Sequence, residues 1–233
     1  ATAGRGGGLV LRLALDTSTP VGSVGIGKAG EVLAESFLRV RATHSEVVLP
    51  EIDRLLTGCG LNASDLQGVV VGGGPGSFTG VRIAASLAKG MCHARGLELF
   101  SFSSLAAVAA GTGCDRPVCA MFDARRGQVY AAGYRVGEGI EELFAPRAGP
   151  LDQIVTDLGE PETWCFAGDG AGAGEDMIRS AGGQVLDPDT WVPSARSLLW
   201  LAEVDPDGGR VADPASWEPG YVRLPAAQRG SSG

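Results

Sequence analysis

A chain of 233 residues, 44% of them hydrophobic, is long enough to bury a substantial core, as one domain or two small ones. Its formal charge of -8 at pH 7 argues against holding nucleic acid alone, because neutralising phosphates takes a basic face. No apolar run approaches the roughly 18 residues of a membrane span, and Ala1 to Gly8 has no signal-peptide core, so a soluble, cytoplasmic protein is expected.

In chain order, Ala1 to Gly8 is a glycine-rich lead expected to be disordered. Leu9 to Leu15 reads as a buried strand ending in Asp16-Thr17-Ser18-Thr19-Pro20, followed by strands Val21 to Ile26 and Val32 to Phe37 around a Gly27 to Gly30 hairpin turn. Thr43-His44-Ser45-Glu46 has capping-box spacing and predicts a helix to about Thr57, kinked at Pro50. Asn62 to Leu66 reads as a turn or short helix.

Val69-Val70-Val71 then reads as a buried strand, Gly72 to Gly80 as a tight loop, and Thr79 to about Gly96 as a helix. That helix carries one apolar stripe of Gly80, Ile83, Leu87, Met91 and Ala94 and a second of Val81, Ala85, Ala88 and Cys92. A polar stripe holds Arg82, Ser86, Lys89 and His93. The small residues Ala84, Ala88 and Cys92 would let another helix approach closely. It is either the Thr43 to Thr57 helix or a second subunit; for the latter the candidate interface is Val81, Arg82, Ala84, Ala85, Ala88, Lys89 and Cys92.

A strand at Leu97 to Phe102 and a helix from Ser103 to Ala110 close the first half, with a domain boundary at Gly111 to Arg116. The expected domains are thus 9–110 and 111–225, with a frayed tail from Ala226. The second half repeats the first in outline: strand Val118 to Phe122 ends in Asp123 as the first strand ends in Asp16, and strand Gln128 to Tyr134 follows a turn. Helices at Leu151 to Leu158, Gly174 to Ala181 and Ser194 to Glu203, a strand at Trp164 to Phe166 and an extended Asp205 to Gly220 complete a duplicated α/β chain.

The chemistry-bearing motifs are few. The glycine loop lacks the Lys-Ser/Thr ending of a P-loop, has the wrong last interval for a dinucleotide fingerprint, and has Pro75 and Thr79 where a nucleophile elbow needs glycines. An anion-capable helix start and a structural turn remain equal readings. Asp16, Ser18, Gly74, Gly76, Ser77 and Asp123 are the candidate nucleotide or anion contacts, with the aspartates able either to hold magnesium or to close hairpins. Two histidines, His44 and His93, sit in separate helices, and no metal motif includes them. The five cysteines, Cys59, Cys92, Cys114, Cys119 and Cys165, are scattered and expected as reduced thiols. No catalytic set emerges.

Taken together, Leu15-Asp16-Thr17-Ser18-Thr19, His44-Ser45-Glu46 with Leu49-Pro50, Gly74 to Arg82, Ser103-Ser104-Leu105 and Asp123 to Tyr130 resemble the TsaB family, accessory subunits for threonylcarbamoyladenosine biosynthesis on tRNA. The resemblance is dense from Leu11 to Tyr130 and thin beyond, apart from Tyr221-Val222-Arg223. It implies an actin-like ATPase fold of two duplicated halves. It also implies a non-catalytic partner of the paralogue TsaD, whose histidine metal ligands have no counterpart in Ser101 to Leu105. Through the N-terminal half the chain would pair with TsaD, or with itself when alone, and join the ATPase TsaE. It would support transfer of a threonylcarbamoyl group to adenosine 37 of ANN-decoding tRNAs, touching tRNA only through the complex. No intrinsic cofactor is implied; ATP or ADP with magnesium would enter in the assembled complex. Gln128 stands where the family often has Glu. The competing reading is an autonomous ATPase or peptidase. The ATPase would need Gly168 to Gly174 as an adenosine loop, and the peptidase lacks a nucleophile or metal setting.

Overall fold

The computed structural model describes residues 10–28, 31–39 and 46–222. The predicted lead and frayed tail, the hairpin residues 29–30, and the capping residues Thr43, His44 and Ser45 lie outside them. The first half runs β1 (Leu11–Asp16), β2 (Val21–Lys28), β3 (Glu31–Arg39), α1 (Val48–Gly58), β4 (Gly68–Gly72), α2 (Phe78–Arg95), β5 (Glu98–Phe102) and α3 (Ser104–Gly111). The second runs β6 (Val118–Arg125), β7 (Gln128–Val136), β8 (Ile140–Pro150), α4 (Leu151–Asp157), β9 (Cys165–Ala167), α5 (Asp169–Ala173), α6 (Glu175–Ser180), β10 (Gln184–Val185), α7 (Ala195–Val204) and α8 (Pro206–Gly209).

The two five-stranded sheets have one topology. Their orders, β3-β2-β1-β4-β5 and β10-β9-β6-β7-β8, are the same list read from opposite edges. In each, the first strand pairs antiparallel with the next and parallel with a later one, so β1 and β6 are central. The aspartates repeat the correspondence in detail. Asp16 Oδ1 accepts the Ser18 N–H at 2.7 Å, and Asp123 Oδ1 accepts the Arg125 N–H at 2.7 Å, so both central strands end in the same two-residue aspartate turn.

The sheets and helices stack in five layers. One core packs α1 and α2 on the first sheet through Val48, Ile52, Val69, Val71, Ala84 and Ala88. An outer core on the second sheet holds Met121, Ile154, Phe166 and Ile178. Between the sheets lies a shared core in which α3 (Leu105 to Ala109) and α7 (Leu198, Leu199, Leu201) meet Val70, Phe100, Ala120 and Phe122. Here the halves interlock, because α3 packs on β6 and β7 while α7 packs on β1 and β2. Neither sheet buries its inner face without a helix from the other half of the sequence.

Three sequence expectations change. Helix α1 begins at Val48 with no side-chain cap, and Pro50 falls in its first turn. A missing N–H there is one of the donors a helix start leaves unused, so no kink is required. Strand β8, unassigned from the sequence, pairs with β7 along its length. As an edge strand it accommodates Pro146 and Pro150 and carries Glu141, Glu142 and Arg147, which blunt edge pairing. The third change concerns the partner surface: Val81, Ala84, Ala85, Ala88 and Cys92 are buried within the chain, Ala84 and Ala88 completely. Lys89 is occupied too, its Nζ donating to the Trp217 carbonyl at 2.8 Å and to Glu218 at 3.2 Å. Small residues let α2 sit close on β4 rather than on another subunit, and of the seven interface candidates only Arg82 is exposed.

An arginine at Ala88 would place an unpaired charge in this core. Ala88→Arg is therefore expected to lower the unfolding free energy by more than about 3 kcal/mol, read as the midpoint and slope of urea denaturation; a wild-type midpoint would remove Ala88 from the core.

Candidate functional site

The glycine loop is built against the turn that follows β1. Ser18 accepts the Ser77 N–H on its carbonyl at 2.8 Å, and Thr17 donates its hydroxyl to the Gly80 carbonyl at 2.6 Å. Ser77 caps α2 by accepting the Gly80 N–H at 3.3 Å, and Gly96, left-handed at φ 65°, closes its other end. A methyl group on Gly80 would collide with the Thr17 carbonyl, and one on Gly76 would come within 2.5 Å of the Ser18 carbonyl oxygen. These glycines serve approach of the protein's own backbone rather than of a phosphate.

Beneath the loop lies Asp16, fully buried. Its Oδ1 accepts the Ser18 N–H and, at 2.6 Å, the Ser18 hydroxyl; its Oδ2 accepts the Ser104 hydroxyl at 2.6 Å. Ser104 is in turn bound to the loop, accepting the Gly74 N–H at 3.2 Å on Oγ and donating its own N–H to the Gly74 carbonyl at 2.8 Å. A Cβ on Gly72 would overlap the Asp16 carboxylate. The carboxylate thus ties three segments together: the β1 turn, the glycine loop and the start of α3.

Above it, between the halves, a cleft of about 450 Å³ is lined from one side by Ser18, Thr19, Gly76, Ser77 and Thr79 and from the other by Asp123, Arg125, Tyr130 and Asp169. Of the predicted contacts, Gly76, Ser77 and Asp123 reach this cleft, and Ser18 lines it at only 2% exposure. Asp16 and Gly74 lie behind it. Asp169 and Tyr130 are additions that the sequence reading missed. Asp169 Oδ1 accepts the Asp123 N–H at 3.0 Å, and desolvation, aided by the neighbouring Asp123 charge, raises its pKa above the ordinary carboxylate range. Its signal was the glycine run around it, which the sequence offered only as an adenosine loop. In the structure that run is helical, and its glycines are consumed by packing: Gly170 on the Phe122 backbone, Gly172 on Trp191, Gly174 on Leu151.

These residues do not fit a resident magnesium nucleotide. The first-half aspartate that would face the metal is enclosed and hydrogen-bonded to Ser18 and Ser104, and the second-half glycines that would face the nucleotide are packed on Phe122, Trp191 and Leu151.

On the outer side of α2 the surface is different. Val48 and Leu49 of α1 and Phe78, Thr79, Arg82, Ile83, Ser86 and Leu87 of α2 line a mainly apolar groove of about 570 Å³. Phe78 is 59% and Leu49 53% exposed, an unusual outlay of large apolar side chains in water. The Arg82 guanidinium lies 5.1 Å from the Phe78 ring centre, and Tyr221 packs its ring 5.4 Å from the same ring. The C-terminal strap is fixed by the Gly220 N–H donating to the Gly73 carbonyl at 3.0 Å. The first-stripe residues Ile83 and Leu87, not the small residues of the second stripe, face this groove.

Duplicated sheets, interlocked helices and a glycine loop locked on an aspartate turn define an actin-like ATPase fold. A family model described as TsaD, tRNA N6-adenosine threonylcarbamoyltransferase, matches residues 32–158. The chain is 34% identical over 197 residues to the tRNA threonylcarbamoyladenosine biosynthesis protein TsaB of Escherichia coli, covering 82% of this chain and 84% of that one. It is 37% identical over 135 residues to TsaB of Bacillus subtilis, spanning 58% of this chain and 59% of its relative. The solved structure of YeaZ from Pseudomonas aeruginosa superimposes with a TM-score of 0.75 at 27% identity, over 92% of this chain and 100% of that one. A second structure from that organism, described as similar to peptidase YeaZ, gives 0.80 at 28% identity over the same shares. The chain belongs to the TsaB family.

Removing the Ser104 hydroxyl withdraws a hydrogen bond from a buried carboxylate. Ser104→Ala is expected to cost about 1.5–3 kcal/mol of stability in chemical denaturation, while Ser86→Ala on the exposed face of α2 leaves it unchanged.

Proposed function

We propose that this chain acts in threonylcarbamoyladenosine formation on tRNA as a non-catalytic scaffold that binds the catalytic paralogue TsaD through the groove between α1 and α2. The observation that carries the reading is the groove itself: exposed Phe78 and Leu49, with Ile83 and Leu87 between them, offer an apolar anchor surface on the N-terminal half. Engagement of Asp16 by Ser18 and Ser104, and the lack of histidines in Ser101 to Leu105, support the absence of a catalytic role. The net charge of -8 supports contact with tRNA through the complex rather than by this chain alone. Without its paralogue the chain pairs with itself through the same groove, and TsaE joins the assembled pair. A nucleotide in that assembly draws its metal ligands from a partner.

The reading predicts tight binding of purified TsaD and restoration of tRNA modification when this chain is added to TsaD, TsaE and the remaining components. Leu49→Asp and Phe78→Asp, both at exposed positions, are expected to weaken TsaD binding at least ~30-fold without lowering the melting temperature. Unaltered affinity in both variants would remove the groove as the docking surface, and failure of the unaltered chain to bind TsaD would remove the scaffold reading.

A further inference from the structure

We propose that Cys114 and Cys165 form a reversible disulfide, a redox modification site that pins the segment joining the two sheets. Cys114 lies in the crossover between α3 and β6, and Cys165 opens β9, where it stands in register with Val118 of β6. Their Sγ atoms are 2.7 Å apart, in contact with no intervening atom. The crossover is held in this position: the Cys114 N–H donates to Thr112 Oγ1 at 3.2 Å, and that hydroxyl donates to the Ala109 carbonyl at 2.8 Å.

A cation attends the pair. The Arg116 guanidinium donates to Cys165 Sγ at 3.0 Å and is anchored by the Glu162 carbonyl at 3.1 Å and by Gln184 Oε1. Such a group stabilises negative charge developing on sulfur. The two thiols differ in access, Cys114 being half-buried and Cys165 1% exposed. Burial raises the Cys165 thiol, and Cys114, the more accessible of the two, meets the oxidant while Cys165 resolves. The remaining cysteines lie on separate elements: Cys59 at the end of α1, Cys92 in α2 and Cys119 in β6. Burial also pushes Cys92 up to about 11 and raises Cys119 further.

The oxidant is a hydroperoxide. The Cys114 thiolate attacks its terminal oxygen, the O–O bond breaks, and the leaving oxyanion takes up the proton given up by the thiol, leaving Cys114 as a sulfenic acid. Cys165 then attacks the Cys114 sulfur as its proton passes to the sulfenic oxygen; the S–S bond forms, the S–O bond breaks and water departs. With hydrogen peroxide, two thiols are oxidised, one peroxide is reduced and two waters form. A dithiol reductant reverses the bond by exchange.

The test uses the full chain, reduced and then treated with hydrogen peroxide, with free thiols counted and peptides mapped by mass spectrometry. Free thiols are expected to fall from five to three, with a Cys114–Cys165 cross-link that dithiothreitol removes. Closing so long a loop should raise the melting temperature by about 5–8 °C. Cys114→Ser should show neither the cross-link nor the shift, and Arg116→Gln should slow closure about tenfold, with the melting temperature of its reduced form recorded to separate folding from reactivity. Persistence of all five thiols, over-oxidation of Cys114 without a cross-link, or loss of two of the four thiols left in Cys114→Ser would overturn the proposal.

Discussion

The carboxylate of Asp16, held between Ser18 and Ser104, is the interaction on which the arrangement of the first half depends. It lies at full burial where β1 ends, and a carboxylate taken out of water is tolerable only with strong donors around it. Those donors come from different parts of the chain, and each brings its own segment to the same point. Ser104 brings the start of α3 and, through Gly74, the glycine loop; the β1 turn brings Ser18, whose carbonyl holds Ser77 at the start of α2. Glycines at 72, 76 and 80 follow as a steric consequence, since each lies where a side chain would strike Asp16, Ser18 or Thr17.

Function follows from what this clamp removes and what it leaves. The aspartate at the end of the central strand is turned from a group facing the cleft into a structural post, and its second-half counterpart is braced by the Asp169 contact. The cleft between the halves retains the hydroxyls of Ser77 and Thr79 and the carboxylates of Asp123 and Asp169. Fixing the start of α2 also fixes which of its faces is free. The small residues go down onto β4, and Phe78, Ile83 and Leu87 remain outward beside Val48 and Leu49. The apolar outer face of α2 is the surface on which the proposed docking rests.

Much of this was legible in the residues, and the failures have physical causes. The valine strand, the Gly96 stop and the repeated strand-aspartate-turn pattern are local signals, and local hydrogen bonding decides them. Strand β8 was missed because its prolines and charges obey edge rules that only the pairing with β7 makes visible. The neighbour of the second apolar stripe of α2 is open in the sequence, between the Thr43 to Thr57 helix and a second subunit, for a related reason. Small side chains permit close approach, but the sequence does not say to what, and here the partner is the chain's own sheet. The glycine run at 168–174 reads in the sequence as a candidate adenosine loop, and only the contacts with Phe122, Trp191 and Leu151 across the structure show it as tight packing.

The most direct test of the central claim, that Asp16 is a post rather than a metal-facing carboxylate, is a calorimetric titration of the purified chain with ATP and magnesium. The account predicts no saturable heat up to millimolar nucleotide, with a dissociation constant weaker than about 1 mM, or less than roughly 4 kcal/mol of binding free energy. A magnesium-dependent constant in the micromolar range, lost in Asp16→Asn, would contradict it.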